Sequence, residues 1–276
     1  MKNIGKKLAA VALAIAASSA PAVAGRGGGA AAIQAAVQSN STDAIIAEVE
    51  RAEGLVCGDC VQTVGALLND SRYEIREVAA WWFGKRIGLR NQMIATMKSN
   101  LAGGDSSSVR NAADFLGTLR QYDTLPAMQT AFVKVDSDAK LAIVRAVKRF
   151  GTVKGNAVLQ TAMTDADPAV RGAAVAAWRE VSNQVSAQPV EPLLTDADAG
   201  VRAQAAAVVG ALRDGAAVAA LNAMVVNDAD SQVRHNAAWA LGRIGAQSSR
   251  EALTAASHDP SGLVSGVAKA ALASLH

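Results

Sequence analysis

The chain has 276 residues, 51% of them hydrophobic, with 27 basic against 24 acidic side chains. Three of the basic groups, Lys2, Lys6 and Lys7, sit at the extreme N-terminus, and the remainder balances 24 against 24. That neutrality gives no electrostatic reason to expect nucleic acid or an anionic membrane as partner.

The chain opens "MKNIGKKLAAVALAIAASSAPAVAGRGGG". Three lysines precede an apolar run from Leu8 to Ala17 that is too short to span a bilayer, and Ala22-Val23-Ala24 supplies a small-x-small cleavage pattern. Residues 1–24 therefore read as a signal peptide cut before Gly25, and the protein as exported, periplasmic or secreted. No Cys follows the apolar run to take a lipid anchor, and no later segment predicts membrane insertion. Residues 25–40 read as a flexible tail and residues 41–276 as the folded domain, long enough for a sizeable core.

Cys57 and Cys60, the only cysteines, lie between a helix beginning near Ser41 and one running through Val61 to Leu68. A thioredoxin-type site needs a strand before the motif and a βαβ setting after it, and no strand alternation is present. Val61 in place of His excludes c-type haem attachment, and a zinc site would need two more ligands, whereas His235, His258 and His276 are far along the chain. The favoured reading is a structural disulfide formed in an oxidising compartment. A redox or partner-linking thiol pair remains the alternative, since a helix N-terminus lowers a thiol pKa.

From there onward the chain repeats. "TDADPAVRGAAVAAW", "TDADAGVRAQAAAVVG" and "NDADSQVRHNAAWALG" align with Arg171, Arg202 and Arg234 in one slot. Looser copies place Arg76, Arg110, Ala142 and Ser265 there, at successive spacings of 34, 32, 29, 31, 32 and 31 residues. So regular a period predicts stacked structural units rather than one closed core. Each copy reads as two antiparallel helices. In the second, an apolar residue precedes the slot and small or apolar residues follow three, six and seven positions after it, a 3.6-residue stripe. Asp167, Asp198 and Asp230 are placed as N-caps, with Pro168 at the first helical position. Gly84, Gly210 and Gly242, eight residues past the slot, are expected to end or bend the helix.

The D-x-D-x-x-V-R-x-x-A-A-x-A-L-G pattern over residues 41–276 resembles the HEAT-repeat family, in particular the short bacterial repeats called PBS-lyase HEAT-like. The resemblance implies an all-α fold, an armadillo-like α-solenoid superhelix of about seven two-helix repeats with the second helices lining a concave face. It further implies a ladder of hydrogen bonds between the aspartates before each second helix (Asp70, Asp165, Asp167, Asp196, Asp198, Asp228, Asp230) and the slot arginines Arg76, Arg110, Arg171, Arg202 and Arg234. Ala142 would break that ladder at the third copy, and Ser265 would end it at the C-terminal cap.

No catalytic set, metal site or cofactor site emerges. Ser257-His258-Asp259 holds triad residue types, but adjacent residues cannot build triad geometry, so the segment reads as a turn. Gly25-Arg26-Gly27 and its neighbours lack the Gly-Lys-Ser/Thr of a phosphate loop. The paired His-Glu motifs of deoxyhypusine hydroxylases are absent, Asn236 following His235. The function this leaves is a non-catalytic scaffold or adaptor that binds protein partners of the cell envelope through its concave face. A thiol role for the CxxC pair is one alternative; an accessory lyase or chaperone for a cofactor-binding protein, after the bilin-lyase relatives, is another. On the inner face most positions are small, but Tyr73, Glu77 and Trp81 in one copy and His235, Asn236 and Trp239 in another have the residue types of interface anchors, with Phe115 equivalent between them. The two sets are expected on the order of 50 Å apart at ~10 Å per repeat. Trp82 and Trp178 fall on inward positions and are expected in the core.

Overall fold

The computed structural model describes residues 29–55 and 57–275. The leader assigned to residues 1–24 lies outside them. The described chain consists of helices, short 3-10 turns and one isolated β-bridge between Thr152 and Ser182. It divides into two compact units, residues 1–82 and residues 83–276.

The first unit holds α1 (Ala30–Ser39), α2 (Thr42–Arg51), α3 (Gly58–Leu67) and most of α4 (Tyr73–Gly84). The stretch expected to be a flexible tail is a helix from Ala30 onward. Its sequence, AAAIQAAVQS, is built of strong helix formers. Ile33 and Ala36, three residues apart, are both buried where α1 packs on α2 and α3, and full burial of Ile33 contributes about 2 kcal/mol. The glycine run that suggested a tail stops at Gly29, the N-cap residue. Asn40, in the left-handed region at φ 56°, closes α1, and the Ser41 hydroxyl caps α2 by accepting the Ala44 N–H at 3.3 Å. The pair α1–α2 is thus a further helical hairpin ahead of the first copy legible in the sequence. Trp82 is wholly buried in this unit, its Nε1–H donating to the Ala52 carbonyl at 3.0 Å.

The second unit contains α5 (Ile87–Gly103), α6 (Ser106–Thr118), α7 (Leu125–Phe132), α8 (Ser137–Phe150), α9 (Asn156–Ala162), α10 (Pro168–Glu180), a 3-10 turn (Glu191–Thr195), α11 (Ala199–Ala211), α12 (Val218–Asn227), α13 (Ser231–Ile244), α14 (Arg250–Ala256) and α15 (Gly262–Ser274). The second helices α6, α8, α10, α11 and α13 each pack on the segment that precedes them in their own repeat and on the next second helix, and α15 packs on α14 and α13. Two layers result, with the core between them: Val170, Val201, Val233 and Val264, each one residue before the slot, are all buried. Where the fifth copy should have a first helix the chain makes only the 3-10 turn, because Pro189 and Pro192 withdraw backbone donors there.

Of the three glycines expected to end helices, Gly84 does, as the last residue of α4. Gly210 and Gly242 lie inside α11 and α13, where they allow close approach instead. A Cβ on Gly210 would stand 2.6 Å from Ala240, and one on Gly242 2.8 Å from Ala271. The helices end at Ala211 and Ile244, each followed by a left-handed residue three positions past its glycine, Arg213 and Gly245.

Candidate functional site

The turns between first and second helices carry one geometry, repeated. The Asp two residues before the N-cap accepts the N–H of the cap residue: Asp165 from Asp167, Asp196 from Asp198 and Asp228 from Asp230, at 2.9–3.0 Å. Asp70 and Asp259 do the same for Arg72 and Ser261 at 2.8 Å. The cap aspartates have a separate task. Asp167, Asp198 and Asp230 accept N–H groups of the first helical turn at 2.7–3.1 Å.

The ladder therefore runs through the first aspartate of each pair. Arg171 donates through Nε and Nη2 to both oxygens of Asp196, each at 2.7 Å; Arg202 reaches Asp228 at 2.8 and 2.9 Å, and Arg234 reaches Asp259 at 2.7 and 3.1 Å. The remaining Nη1 of each arginine turns back to two carbonyls of its own turn, as in Arg202 to Asp196 and Ala197 at 2.9 and 3.1 Å. The arginine hydrogen bonds hold the carboxyls of Asp196, Asp228 and Asp259 below their ordinary pKa against an opposing desolvation, and the same bonds raise the arginines. The Ser137 hydroxyl, followed by the Ala169 N–H, holds Asp167 low.

At the third copy the expected break does not occur. Ala142 is a fully buried core residue, and the slot belongs to Lys140, whose Nζ lies 2.7 Å from Asp165. The helix begins two residues earlier than the sequence alignment placed it, because Asp136, not Asp138, is the N-cap. Lys140 then stands four residues past its cap, as Arg171, Arg202 and Arg234 do past theirs. Between α6 and α8 the connection differs: Arg110 Nε donates to its neighbour Asn111, while Asp114, with its side chain fully buried, takes Arg145 at 3.0–3.2 Å. In the first unit, Arg76 keeps the two carbonyl bonds, to Asp70 and Ser71, at 2.7 Å. Asp70 is held by Arg72 of its own turn through Nε and Nη2, and Arg72 also reaches the Asn40 carbonyl at 3.0 Å. At the other end Ser265 bonds only its own turn, so the ladder stops at Asp259 as expected.

The anchor residues separate into two sets and a correction. Phe115 is buried, 1% exposed, because α6 is covered along most of its circumference; it belongs to the core and is withdrawn from the surface. Tyr73, Glu77 and Trp81 lie at four-residue intervals on one face of α4, each half-buried and each engaged in contacts. In the second unit, Gln232, His235, Asn236 and Trp239 follow one another along α13. Asn236 is largely structural: its Nδ2 donates to the Ala203 carbonyl at 2.8 Å, tying α13 to α11, and its Oδ1 accepts Gln232 Nε2 at 2.9 Å. His235 Nδ1 lies 3.1 Å from the same Oδ1. Trp239 is 36% exposed and sits over the surface left open by Gly210, its ring 2.9 Å from where a Cβ would be. Arg243, one turn on and missed in the sequence, lies with its guanidinium 5.9 Å from the Trp239 ring centroid. The neighbouring second helices present Ala207 and Ala270 at the position of Trp239, so the ring stands above a floor of small side chains. Trp82 and Trp178 are buried as expected.

Cys57 and Cys60 are joined by a disulfide. Cys57 is the N-cap residue of α3, its sulfur accepting the Cys60 N–H, and Cys60 is fully buried. Ser257, His258 and Asp259 form a turn: His258 Nδ1 is 3.1 Å from Ser257 Oγ and from the Thr254 carbonyl, while Asp259 is held by Arg234. No cluster of three or more His, Cys, Asp or Glu able to hold a metal occurs among the described residues.

Paired helices in two layers, joined by an Asp–Arg ladder, define an α-solenoid protein. The HEAT-repeats family model matches residues 124–206 and 187–273, more than half of the chain, which therefore belongs to the HEAT-repeat family. The structure is similar to that of YibA from Escherichia coli, with a TM-score of 0.62 at 14% identity over 88% of this chain and 90% of that one. It is also similar to yeast importin-β, Kap95p, in a structure describing its binding to RanGDP, with a TM-score of 0.54 at 12% identity over 89% of this chain and 40% of that one. At these identities the likeness is one of fold. A search of curated proteins returns no match.

Proposed function

We propose that the protein is an exported scaffold or adaptor that binds a protein partner of the cell envelope through the exposed face of its second helices, with no chemistry of its own. The observation that carries this reading is Trp239, the most exposed of the four tryptophans, raised over small neighbours with Arg243 against its ring. A large aromatic and an arginine on a rigid helix are the side chains on which interfaces concentrate binding energy. The fold gives support by analogy, since Kap95p, built the same way, binds RanGDP. Export accords with the leader pattern and with the bonded cysteines, which persist in oxidising compartments. In this reading the disulfide is a staple on the turn before α3.

The test is capture from envelope extract with the wild type and with Trp239→Ala and Trp81→Ala separately. Both variants should keep wild-type helicity, and Trp239→Ala should lose a partner that the wild type retains. Identical partner sets for all three proteins would remove the assignment.

A further inference from the structure

The balance of charge in the whole chain conceals an uneven placing within the second unit. The aspartates of the ladder lie at the edge where second helices begin, each matched there by Lys140, Arg171, Arg202 or Arg234. At the opposite edge, where second helices end and the chain turns to the next first helix, the exposed charges are Arg120, Lys148, Lys154, Arg179 and Arg213 against Asp123 and Glu180. Helix dipoles favour this direction, acids at N-termini and bases at C-termini. They do not account for everything found there.

Each second helix from α6 to α13 is closed near its end by one residue in the left-handed region: Arg120 (φ 50°), Gly151 (60°), Asn183 (62°), Arg213 (54°) and Gly245 (77°). Glycine suits that conformation and asparagine tolerates it, whereas a long side chain meets a steric penalty. Two of the five positions nonetheless carry arginine. Neither guanidinium bonds the carbonyls of the helix it follows or any carboxylate among the described residues. Local stability is thus lowered to present a charge outward, and sparsely populated backbone of this kind clusters at functional sites.

The same loops expose apolar tips. Tyr122 is 45% exposed, Val153 47% and Val185 87%. Contacts make the loops one edge: the Tyr122 ring lies 5.2 Å from that of Phe150, the Ser182 N–H donates to the Gly151 carbonyl at 3.0 Å, and Val185 and Arg213 line one shallow depression. The acids of this edge are occupied. Glu180 pairs with Lys148 at 3.0 Å and Asp123 with Lys98 at 2.5 Å. Asp214 caps the turn at Ala216, and Glu191, its pKa raised by burial and then by the charge and hydrogen bond of Asp214, gives up its charge more readily than an isolated carboxylate.

We propose that this edge, the loops at 120–124, 151–155, 182–188 and 212–216, binds an anionic lipid surface. Tyr122, Val153 and Val185 enter the headgroup layer, and Arg120, Lys154 and Arg213 meet lipid phosphates. Among the described residues, protruding single apolar side chains separated by unpaired cations offer a peptide only the one open depression beside Val185 and Arg213. A flat, fluid, negatively charged interface can meet all of them at once, and tyrosine suits such a boundary.

The experiment is sedimentation of the full chain with vesicles of phosphatidylcholine alone and of equal parts phosphatidylcholine and phosphatidylglycerol. It compares the wild type, Arg120→Gly/Arg213→Gly and Val185→Ser. Residues 1–28 are the same in every protein, so differences report the edge. The wild type should prefer anionic vesicles and be released by salt. The double variant should bind them about thirtyfold more weakly, at about fivefold per arginine near a charged surface. Because glycine suits the left-handed position, its thermal midpoint should equal or exceed that of the wild type. Val185→Ser should weaken binding while leaving the salt dependence unchanged. Equal binding by wild type and double variant, no preference for anionic lipid, or capture of soluble poly-glutamate with vesicles ignored would each overturn the proposal, the last in favour of an acidic polypeptide.

Discussion

Replacing Arg202 by alanine isolates one rung of the ladder. The substitution removes four hydrogen bonds: two to Asp228 at 2.8 and 2.9 Å, and two to the Asp196 and Ala197 carbonyls at 2.9 and 3.1 Å. Asp228 keeps only the Asp230 N–H at 2.9 Å. An exposed ion pair contributes up to about 1 kcal/mol, and breaking a buried one costs about 3–5 kcal/mol. With 18% of the arginine side chain and 8% of the aspartate exposed, this rung lies between the two, so the expected loss is about 2 kcal/mol. Arg202→Lys should cost about half as much, since Lys140 already fills the equivalent slot against Asp165 at 2.7 Å.

The pH dependence follows from the same bonds. Asp228 has its pKa lowered below the ordinary 3.8, chiefly by the Arg202 hydrogen bond. A carboxyl depressed in the folded state stabilises it above the unfolded value, and that stabilisation disappears as pH falls through the folded value. Wild type and Arg202→Ala should therefore differ near neutrality and converge in acid. Urea unfolding followed by far-UV circular dichroism, with the denaturant slope checked for constancy, measures both. A cost below about 0.5 kcal/mol near neutrality, or the same cost in acid, would show that the ladder does not hold neighbouring repeats together.

Two further outcomes follow from packing and covalent structure. Gly210→Ala should lower stability by about 1–3 kcal/mol, because its Cβ would stand 2.6 Å from Ala240; Gly266→Ala, which meets nothing within 4 Å inside α15, should raise it by up to about 1 kcal/mol. Thermal unfolding of the pair separates close approach from helix propensity. Replacing Cys57 and Cys60 by serine should lower stability by about 2 kcal/mol with helicity retained. Thiol titration of the native protein tests the rival reading: a pair found reduced, or reduced at mild potential with an unchanged melting temperature, would favour a redox role over a staple.

The repeat and its helical pairing were legible in the sequence because each depends on near neighbours, whereas the ladder, which joins residues 25 or 26 apart, was implied only by the family resemblance. An N-cap, the valine three residues on and the arginine four residues on are set by one turn of helix, and the same turn recurs at a near-constant period. That local logic failed where two registers satisfied it equally. Aligning "VDSDAKLAIVRAVKRF" on its Asp-x-Asp pair put Ala142 in the slot, and only the packing of Ala139, Ile143 and Val144 into the core shows that Asp136 is the cap and Lys140 the slot residue. It failed likewise at Ala30–Ser39, where the leading glycines masked a helix that exists because Ile33 has somewhere to be buried.

What the tertiary structure alone decided is which side chains of a face remain outside. Phe115 and Trp239 occupy equivalent positions five past the slot, yet the first is 1% exposed and the second 36%. Neighbouring helices make that difference, and no period within one helix encodes it. The charges tell the same story. Composition gives an even balance, whereas antiparallel pairing gives the ladder aspartates partners at one edge and leaves Arg120, Lys154 and Arg213 without a carboxylate partner among the described residues at the other. Charge adds over a sequence without regard to place, while potential depends on distance, so only the folded chain can separate the two.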